Sequence, residues 1–355
     1  MPNLLYNWII SLPMMVCLFW TIFFVVRFYR KSDEPRITGT ISLFYIATTI
    51  LYTDHWLYFS DCPSFIGEWS YLIVNLCVYP LYYAYLRALT RTKIDYEVLL
   101  LLLPAVLVTI LFPFNVPIHL AARICFAAQV IWVLIRGYRL IRNTQQRMDN
   151  TYSDDRSRLL RPAHLLLLFF AITAAVSMIL NFFGREFFND SLLVCIPAVL
   201  MSVLLFSLGY VAAHTVLPQE TITQEETTED RATTEETDAL MHKISTTLRE
   251  QQLFTNPHLT IQDLATAVGS NRTYVSNCIN RCTGYSFSQY VARYRVEHAQ
   301  QLLRDPKYTS DHDAIADAIA LSGFSSDQTF YRVFKDLTGL TPLQYRQQNL
   351  PKQAK

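Results

Sequence analysis

The sequence TGYSFSQY at residues 283–290 returns 55 residues later as TGLTPLQY at residues 338–345. Each copy closes a segment in which apolar residues recur at helical spacing on both sides of one glycine, Gly269 in the first segment and Gly323 in the second. In both segments the glycine lies eight residues after the isoleucine that opens the segment. Because two helices joined by a short glycine turn form a helix-turn-helix, the repeat predicts two such units, an arrangement that reads DNA.

The outward face of the second helix in each unit supplies the candidate DNA contacts. Thr260 with Asp263 forms an approximate capping box for the helix that ends at Gly269, and either Ser270 or Asn271 can cap the helix that follows. Short polar and basic side chains on a helix can enter the major groove and bond the base edges. In the first unit the outward candidates are Arg272, Thr273, Ser276 and Asn277. In the second unit they are Asp327, Gln328, Thr329 and Arg332.

A long helix over about residues 287–304 is predicted between the two units. A helix of this length can hold two recognition helices about 34 Å apart, the separation of successive major-groove faces. Asp327 has two interpretations, since a carboxylate repels phosphate and can only accept a hydrogen bond, for instance from a cytosine amine. In the second interpretation it caps the recognition helix alongside Ser325 or Ser326.

The first 216 residues have the composition of a membrane protein. The chain is 52% hydrophobic and 17% charged, and most of its apolar runs reach the length of about 17–25 residues that crosses a bilayer as a helix. The seven runs cover residues 5–26, 37–53, 69–86, 98–114, 118–135, 163–183 and 191–216. We therefore predict an all-α chain with a seven-helix transmembrane bundle over residues 1–216. A linker over 217–238 and a soluble all-α domain over 239–350 follow, the latter with two helix-turn-helix subdomains joined by the long helix.

The basic residues between the apolar runs predict an orientation in the membrane. Fourteen Lys and Arg lie in the loops after the first, third and fifth runs, whereas the N-terminus and the alternate loops hold one, Arg185. Basic loops favour the cytoplasmic side. The N-terminus is therefore expected outside and the C-terminal domain in the cytoplasm, where the DNA is.

The linker is acidic. Residues 218–238 carry eight acidic side chains and one basic side chain, and such a segment cannot bury enough apolar surface to fold alone. The simpler interpretation is a solvated tether. In the alternative, its acids mimic DNA and compete for the basic surface of the C-terminal block, which has thirteen Lys and Arg against nine Asp and Glu from residue 239 onward.

Polar residues in and beside the apolar runs are candidates for sensing, because such residues are costly in a bilayer. A pocket near the outer face is one hypothesis, in which Arg123 pairs with an acidic group on a ligand or with Asp54, and Glu68 lies in the same outer loop as Asp54. The chemistry of the ligand is not specified by these residues. Cys278 and Cys282 are four residues apart but have no nearby His or Cys, so no metal site is predicted.

Two stretches resemble the DNA-binding domain of the AraC/XylS family of bacterial transcription regulators. They are LTIQDLATAVGSNRTYVSNCINRCTGYSFSQYVARYRVEHAQQLL from Leu259 and AIADAIALSGFSSDQTFYRVFKDLTGLTPLQYR from Ala314, within about residues 240–348. The resemblance implies a domain that binds double-stranded promoter DNA as two helix-turn-helix subdomains, with the outward candidates above reading the bases. For a bacterial regulator of this kind we expect the inner membrane as the location of the spans, a homodimer on DNA and RNA polymerase as a partner, and we predict no cofactor. The ligand-binding cupin usual in the family is replaced here by the membrane segment.

Three classes of function are compatible with this organisation. The first is a membrane-embedded one-component regulator whose spans sense a signal and whose cytoplasmic domain binds promoter DNA. The second is a membrane receptor or transporter-like protein whose C-terminal domain binds a protein partner. The third is a membrane enzyme, ranked last because the sequence contains no metalloprotease, nucleophile-elbow, P-loop or kinase motif and therefore no catalytic residue is predicted.

Overall fold

The computed structural model describes residues 4–30, 34–60, 68–90, 92, 96–111, 114, 119–154, 161–183, 194–215, 234–308 and 310–349. Within these ranges the chain forms fourteen α-helices and a 3₁₀ turn at Leu253–Thr255, and contains no β-strand beyond an isolated bridge. The prediction of an all-helical chain is confirmed for this part of the protein.

The contacts divide the chain into two compact units. The first comprises Met1–Arg142 and Leu159–Pro218, and the second comprises Asn143–Arg158 and Gln219–Lys355. Each of the seven apolar runs overlaps a described helix: α1 Leu4–Tyr29, α2 Pro35–Phe59, α3 Glu68–Leu89, α4 Tyr96–Leu111, α5 His119–Thr151, α6 Arg161–Phe183 and α7 Cys195–His214. The chain passes from the first unit to the second within α5, so the last residues of this helix and those that follow it belong to the second unit.

Five of the described helices are long and apolar enough to cross a membrane. The stretches are Leu5–Tyr29, Tyr71–Leu89, Leu120–Thr151, Arg161–Ile179 and Cys195–His214. Helix α4 is apolar but has only 16 residues, and α2 has 25 residues but includes five threonines and Asp54. The count of seven spans therefore stays a prediction.

Hydrogen bonds to backbone carbonyls join helices within the first unit. The Tyr45 hydroxyl of α2 donates to the Leu205 carbonyl of α7 at 3.0 Å, and Arg27 of α1 donates to the Ala213 carbonyl of α7 at 2.9 Å. In apolar surroundings such bonds satisfy polar groups that have no water to bond.

A charged cluster joins α3, α4 and α5. The Glu97 carboxylate accepts a hydrogen bond from Arg87 at 3.1 Å and one from the Tyr83 hydroxyl at 3.0 Å, and it also pairs with Arg136. Because Glu97 has two cationic partners from different helices, its charge is compensated although it is largely buried.

The second unit contains seven further helices with two apolar cores. They are α8 Thr234–Glu250, α9 Ile261–Val268, α10 Arg272–Thr283, α11 Phe287–Arg304, α12 Asp311–Leu321, α13 Asp327–Thr338 and α14 Pro342–Asn349. One core is formed by α8, α9, α10 and the start of α11, and the other by the end of α11 with α12 and α13. Helix α8 begins inside the predicted linker, and residues 217–233 of that linker lie outside the described residues.

The repeated octapeptide is a helix stop followed by a helix start. In the first copy Gly284 ends α10 with a φ of 73°, and Ser286 with Gln289 forms a capping box at the start of α11. In the second copy Gly339 ends α13 with a φ of 76°. The Thr341 amide then donates to Gln344 Oε1 at 3.0 Å, and the Gln344 amide donates to the Thr341 hydroxyl at 3.3 Å. Both Thr-Gly pairs therefore terminate helices.

Gly323 combines a left-handed backbone with a close approach of the chain. Its φ is 83°, and a Cβ at this position would lie 2.7 Å from Thr255 Cα, in the 3₁₀ turn that packs with the first core. Gly339 has a similar φ of 76° but no atom within 4 Å of its potential Cβ. Only Gly323 therefore needs to be glycine for space as well as for backbone conformation.

We predict that Gly323→Ala destabilises the second unit more than Gly339→Ala does. In Gly339→Ala the free energy of unfolding should fall only by the cost of the left-handed conformation, about 1–2 kcal/mol. In Gly323→Ala it should fall by at least about 1 kcal/mol more, because overpacking costs at least that much. Hydrogen exchange of the α12 and α13 amides in the full chain measures both losses. Equal losses would show that the Thr255 contact costs nothing.

Candidate nucleic-acid interface

The first helix-turn-helix is built by local capping. The Thr260 amide donates to Asp263 Oδ2 at 2.8 Å and the Asp263 amide donates to the Thr260 hydroxyl at 3.2 Å, which confirms the predicted capping box. Gly269 then ends α9 with a φ of 66°. Asn271, rather than Ser270, caps α10 by accepting from the Tyr274 amide at 2.6 Å.

Helix α10 has the exposed polar face expected of a recognition helix. Its core side is buried and consists of Val275, Cys278 and Ile279. Asn277 is exposed and the other three candidates are partly exposed, namely Arg272, Thr273 and Ser276. These side chains lie on a helix fixed at both ends by caps, so their positions are set by the fold.

Helix α13 presents a similar face with one exception. Ser326 caps the helix, since its hydroxyl accepts from the Thr329 amide at 3.3 Å and donates to the Thr329 hydroxyl at 3.0 Å. Thr329 is only 7% exposed, so the prediction that it points outward is wrong. The reason is local, because a threonine at the third helical position turns back to the capping residue. Asp327 and Gln328 are exposed.

The exposed face of α13 includes two residues that the sequence analysis did not single out. Tyr331 and Lys335 are exposed, and they follow Gln328 at helical spacing on the side that also carries Arg332. Arg332 is partly exposed and lies 3.3 Å from Asp336 through its Nη1. The same spacing rule applied from Gln328 onward would have found both residues.

Arg295, in the middle of α11, is a buried cation of the second unit that the sequence analysis did not single out. Its side chain is 1% exposed and makes four hydrogen bonds, to the Phe254 carbonyl, the Asn256 carbonyl, the Ser153 carbonyl and the Ser153 hydroxyl, at 2.8–2.9 Å. Burial lowers the pKa of Arg295 to about 10, while Asp154 acts in the opposite direction. The guanidinium therefore stays charged at neutral pH.

Arg346 has an equivalent place in the second core. It is 1% exposed and donates to the Leu303 carbonyl at 2.8 Å, to the Tyr308 carbonyl at 2.6 Å and to Asp311 at 2.8 Å. These acceptors belong to the end of α11, to the connection that follows it and to the first residue of α12. Arg346 thus fixes the orientation of α12, the helix that precedes α13.

The candidate sensing residues belong to the first unit. Asp54 is fully buried on α2, whereas Arg123 is exposed on α5. Glu68 is the first residue of α3, and its side chain lies outside the described residues. A ligand site formed by these residues stays a prediction.

Comparison with known proteins gives matches to the C-terminal part of the chain. Residues 264–348 match the family described as a helix-turn-helix domain. The melibiose operon regulatory protein of Escherichia coli K12 is 33% identical over 88 residues, 25% of this chain and 28% of that protein. The uncharacterized HTH-type transcriptional regulator YtdP of Bacillus subtilis is 34% identical over 90 residues, 25% of this chain and 11% of that protein.

The chain thus spans less than a third of the length of these relatives. No solved structure gives a significant match. The matched region contains α10 to α13 with both exposed recognition faces and most of α9 and α14. Residues 264–348 are therefore an AraC-type helix-turn-helix domain, similar to the domains of HTH-type transcriptional regulators.

Proposed function

We propose that the protein is a DNA-binding transcription regulator held in a membrane. The observation that carries this proposal is the pair of capped helices, α10 and α13, whose exposed faces lie on a helix-turn-helix scaffold that matches regulators. The named relatives are regulators and not enzymes, which favours a non-enzymatic role.

The two recognition helices would enter successive major-groove faces of promoter DNA. Arg272, Thr273, Ser276 and Asn277 would contact bases from α10. From α13, Gln328, Arg332 and Asp327 would face the base edges, whereas the buried Thr329 would contribute through the helix cap. Lys335, one turn further, is suited to a phosphate. A homodimer on DNA would double these contacts, and RNA polymerase is the expected partner at a promoter.

The membrane location is supported by five apolar helices of sufficient length and by the fourteen-to-one asymmetry of basic residues between loops. Together they favour an N-terminus outside, a bundle of seven spans and a cytoplasmic DNA-binding domain. The bundle would sense a signal of unspecified chemistry. A C-terminal domain that binds a protein partner instead of DNA is the competing proposal, and DNA binding separates the two.

Arg332→Ala should weaken binding to the specific site by about 1–3 kcal/mol, because a lost base contact costs this much. Lys335→Ala should weaken binding to all sequences alike and reduce the slope of log affinity against log salt by about one. Both are measured by titration of full-length protein in lipid nanodiscs with duplexes recovered from cells by chromatin capture.

Lys307→Ala is the matched control for these variants. Lys307 is exposed but lies in the connection before α12, 3.2 Å from Asp305, so its loss should leave DNA affinity unchanged. If the full-length protein recovers no DNA and shows no salt-dependent binding to any duplex, the DNA-binding proposal is wrong, and a C-terminal domain that binds a protein partner replaces it.

The membrane part of the proposal has its own test. We expect the full chain to remain in the membrane after extraction at alkaline pH, and a green fluorescent protein fused after Lys355 to fluoresce. Alkaline phosphatase fused at the same position should be inactive, because it folds only outside the cytoplasm. Active phosphatase would contradict the proposed orientation.

A further inference from the structure

Residues 149–154, at the end of α5, dock on the DNA-binding domain within the second unit. Ser153 is 3% exposed and uses all its polar groups in this contact. Its amide donates to the Leu259 carbonyl at 3.1 Å, while its carbonyl and hydroxyl accept from Arg295 at 2.8 and 2.9 Å. Tyr152 is also buried and forms an antiparallel bridge with Thr260. The segment therefore pairs with the chain immediately before α9.

This contact reaches the second recognition helix through Arg295. The Arg295 guanidinium lies 5.8 Å from the centre of the Phe324 ring, in the turn before α13. A cavity of about 330 Å³ is lined by Asp149, Ser153 and Asp154 of the segment, by Phe324, by the first half of α11 and by α13 from Thr329 to Leu337. The docked segment is thus part of the wall that faces α13.

Charge is the second feature of this cavity. Three carboxylates line it together with three arginines: Asp149 and Asp154 of the segment, Asp336 of α13, and Arg293, Arg295 and Arg332. Arg295 is buried, so Arg293 and Arg332 are the two that DNA can reach, and Arg332 is the candidate base-reading arginine of α13. A DNA phosphate brought to these two arginines would meet both carboxylates of the segment, and like charges in one site repel. The segment and DNA therefore compete for the same cationic surface.

We propose that residues 149–154 form a built-in inhibitor of the DNA-binding domain, docked at Leu259, Thr260 and Arg295, and that DNA binding requires this segment to leave α13. The proposal rests on the proposed DNA-binding function and deepens it by naming its regulation. The occupant of the docking surface is a segment of the chain itself, placed there by one backbone pairing, the Tyr152–Thr260 bridge with its Ser153–Leu259 hydrogen bond, and by a buried arginine. This segment is distinct from the acidic linker, whose acids are the other candidate for mimicry of DNA.

Helix α5 connects the docked segment to the apolar part of the chain, where a signal would act. Helix α5 is continuous from His119 to Thr151, so a rotation or shift of its apolar part would also move Asp149. A change in the membrane-embedded part of α5 can therefore be passed to the docked segment without another domain. Thermodynamic linkage requires the reverse as well, so DNA binding would favour the undocked position of the segment.

Two sets of variants of the full chain in nanodiscs test this proposal. The first set removes the two carboxylates, and the second weakens the docking contact. Asp149→Asn/Asp154→Asn should bind DNA at least about fivefold more tightly than the unchanged protein, the low end of usual regulatory coupling. Glu250→Gln/Glu297→Gln removes two exposed acids elsewhere in the second unit and is the matched control. The DNA probe is the duplex that the unchanged protein or the double Asp variant enriches most strongly from a random pool.

A second pair of variants alters the docking contact without changing charge. Ser153→Pro removes the amide that donates to Leu259 and should raise DNA affinity, whereas Ser153→Ala keeps the backbone bonds and should have a smaller effect. Thermal unfolding of each variant checks that the protein is folded. A folded Ser153→Pro chain that binds DNA more weakly would overturn the proposal, because docking would then support the DNA-competent form.

The outcomes separate this inference from the proposed function. If the Asp variants and the Glu control bind DNA equally, the inhibitor is wrong and DNA binding stands. If no chain enriches any duplex, the proposed function fails and the inhibitor fails with it. Hydrogen exchange gives a direct measure: the Ser153 amide should be protected in the free protein and exchange faster with DNA bound. Unchanged protection on binding would also overturn the proposal.

Discussion

The geometry of the second unit depends on one buried cation, the Arg295 guanidinium. A guanidinium has five donors and cannot give up its charge in a protein, so its burial is stable only when acceptors surround it. Here the acceptors are Phe254 and Asn256 from the turn before α9, and Ser153 from the end of the α5 segment. The first core, α11 and the docked segment are therefore fixed relative to each other by one side chain. Gly323 adds a second constraint at the same junction, since its backbone lies against Thr255.

Features that depend on neighbouring residues could be predicted from the sequence. The capping box of Thr260 and Asp263, the left-handed Gly269 and the helix stops at Gly284 and Gly339 involve partners within a few residues, so their geometry follows from local backbone chemistry. The repeated octapeptide was recognisable for the same reason. Its threonine, glycine and glutamine end one helix and begin the next, whatever the rest of the fold does.

Features that depend on distant residues could not be predicted. Arg295 and Ser153 are 142 positions apart, and nothing near Arg295 distinguishes it from the exposed Arg293 two residues earlier. Helical spacing predicts an outward Thr329, because it assigns a direction to each residue but does not show that a capping serine turns the side chain inward. The span count is open for a different reason. The threonines of α2 bond carbonyls of their own helix, as Thr48 does to Phe44 at 3.1 Å, so the helix is regular although its composition is too polar to mark it as a span.

The chemistry of the two buried arginines explains why one of them can serve regulation. Within the described residues Arg346 bonds to Leu303, Tyr308 and Asp311, which lie on α11, on the connection after it and on α12, so these partners cannot leave it without moving the helices of the second core. Arg295 differs, because two of its four bonds go to Ser153 and two remain inside the DNA-binding domain. If Ser153 leaves, Phe254 and Asn256 still hold the guanidinium and water can take the freed donors. Each bond to a charged group contributes about 1.5–3 kcal/mol, net of the bonds that water would make. The two bonds from Arg295 to Ser153 therefore contribute about 3–6 kcal/mol together, which is at or above the 1–3 kcal/mol that couples two sites in regulated proteins. A contact of that strength holds the segment in place at rest, and a movement of α5 or the binding of DNA must supply this free energy to undock it.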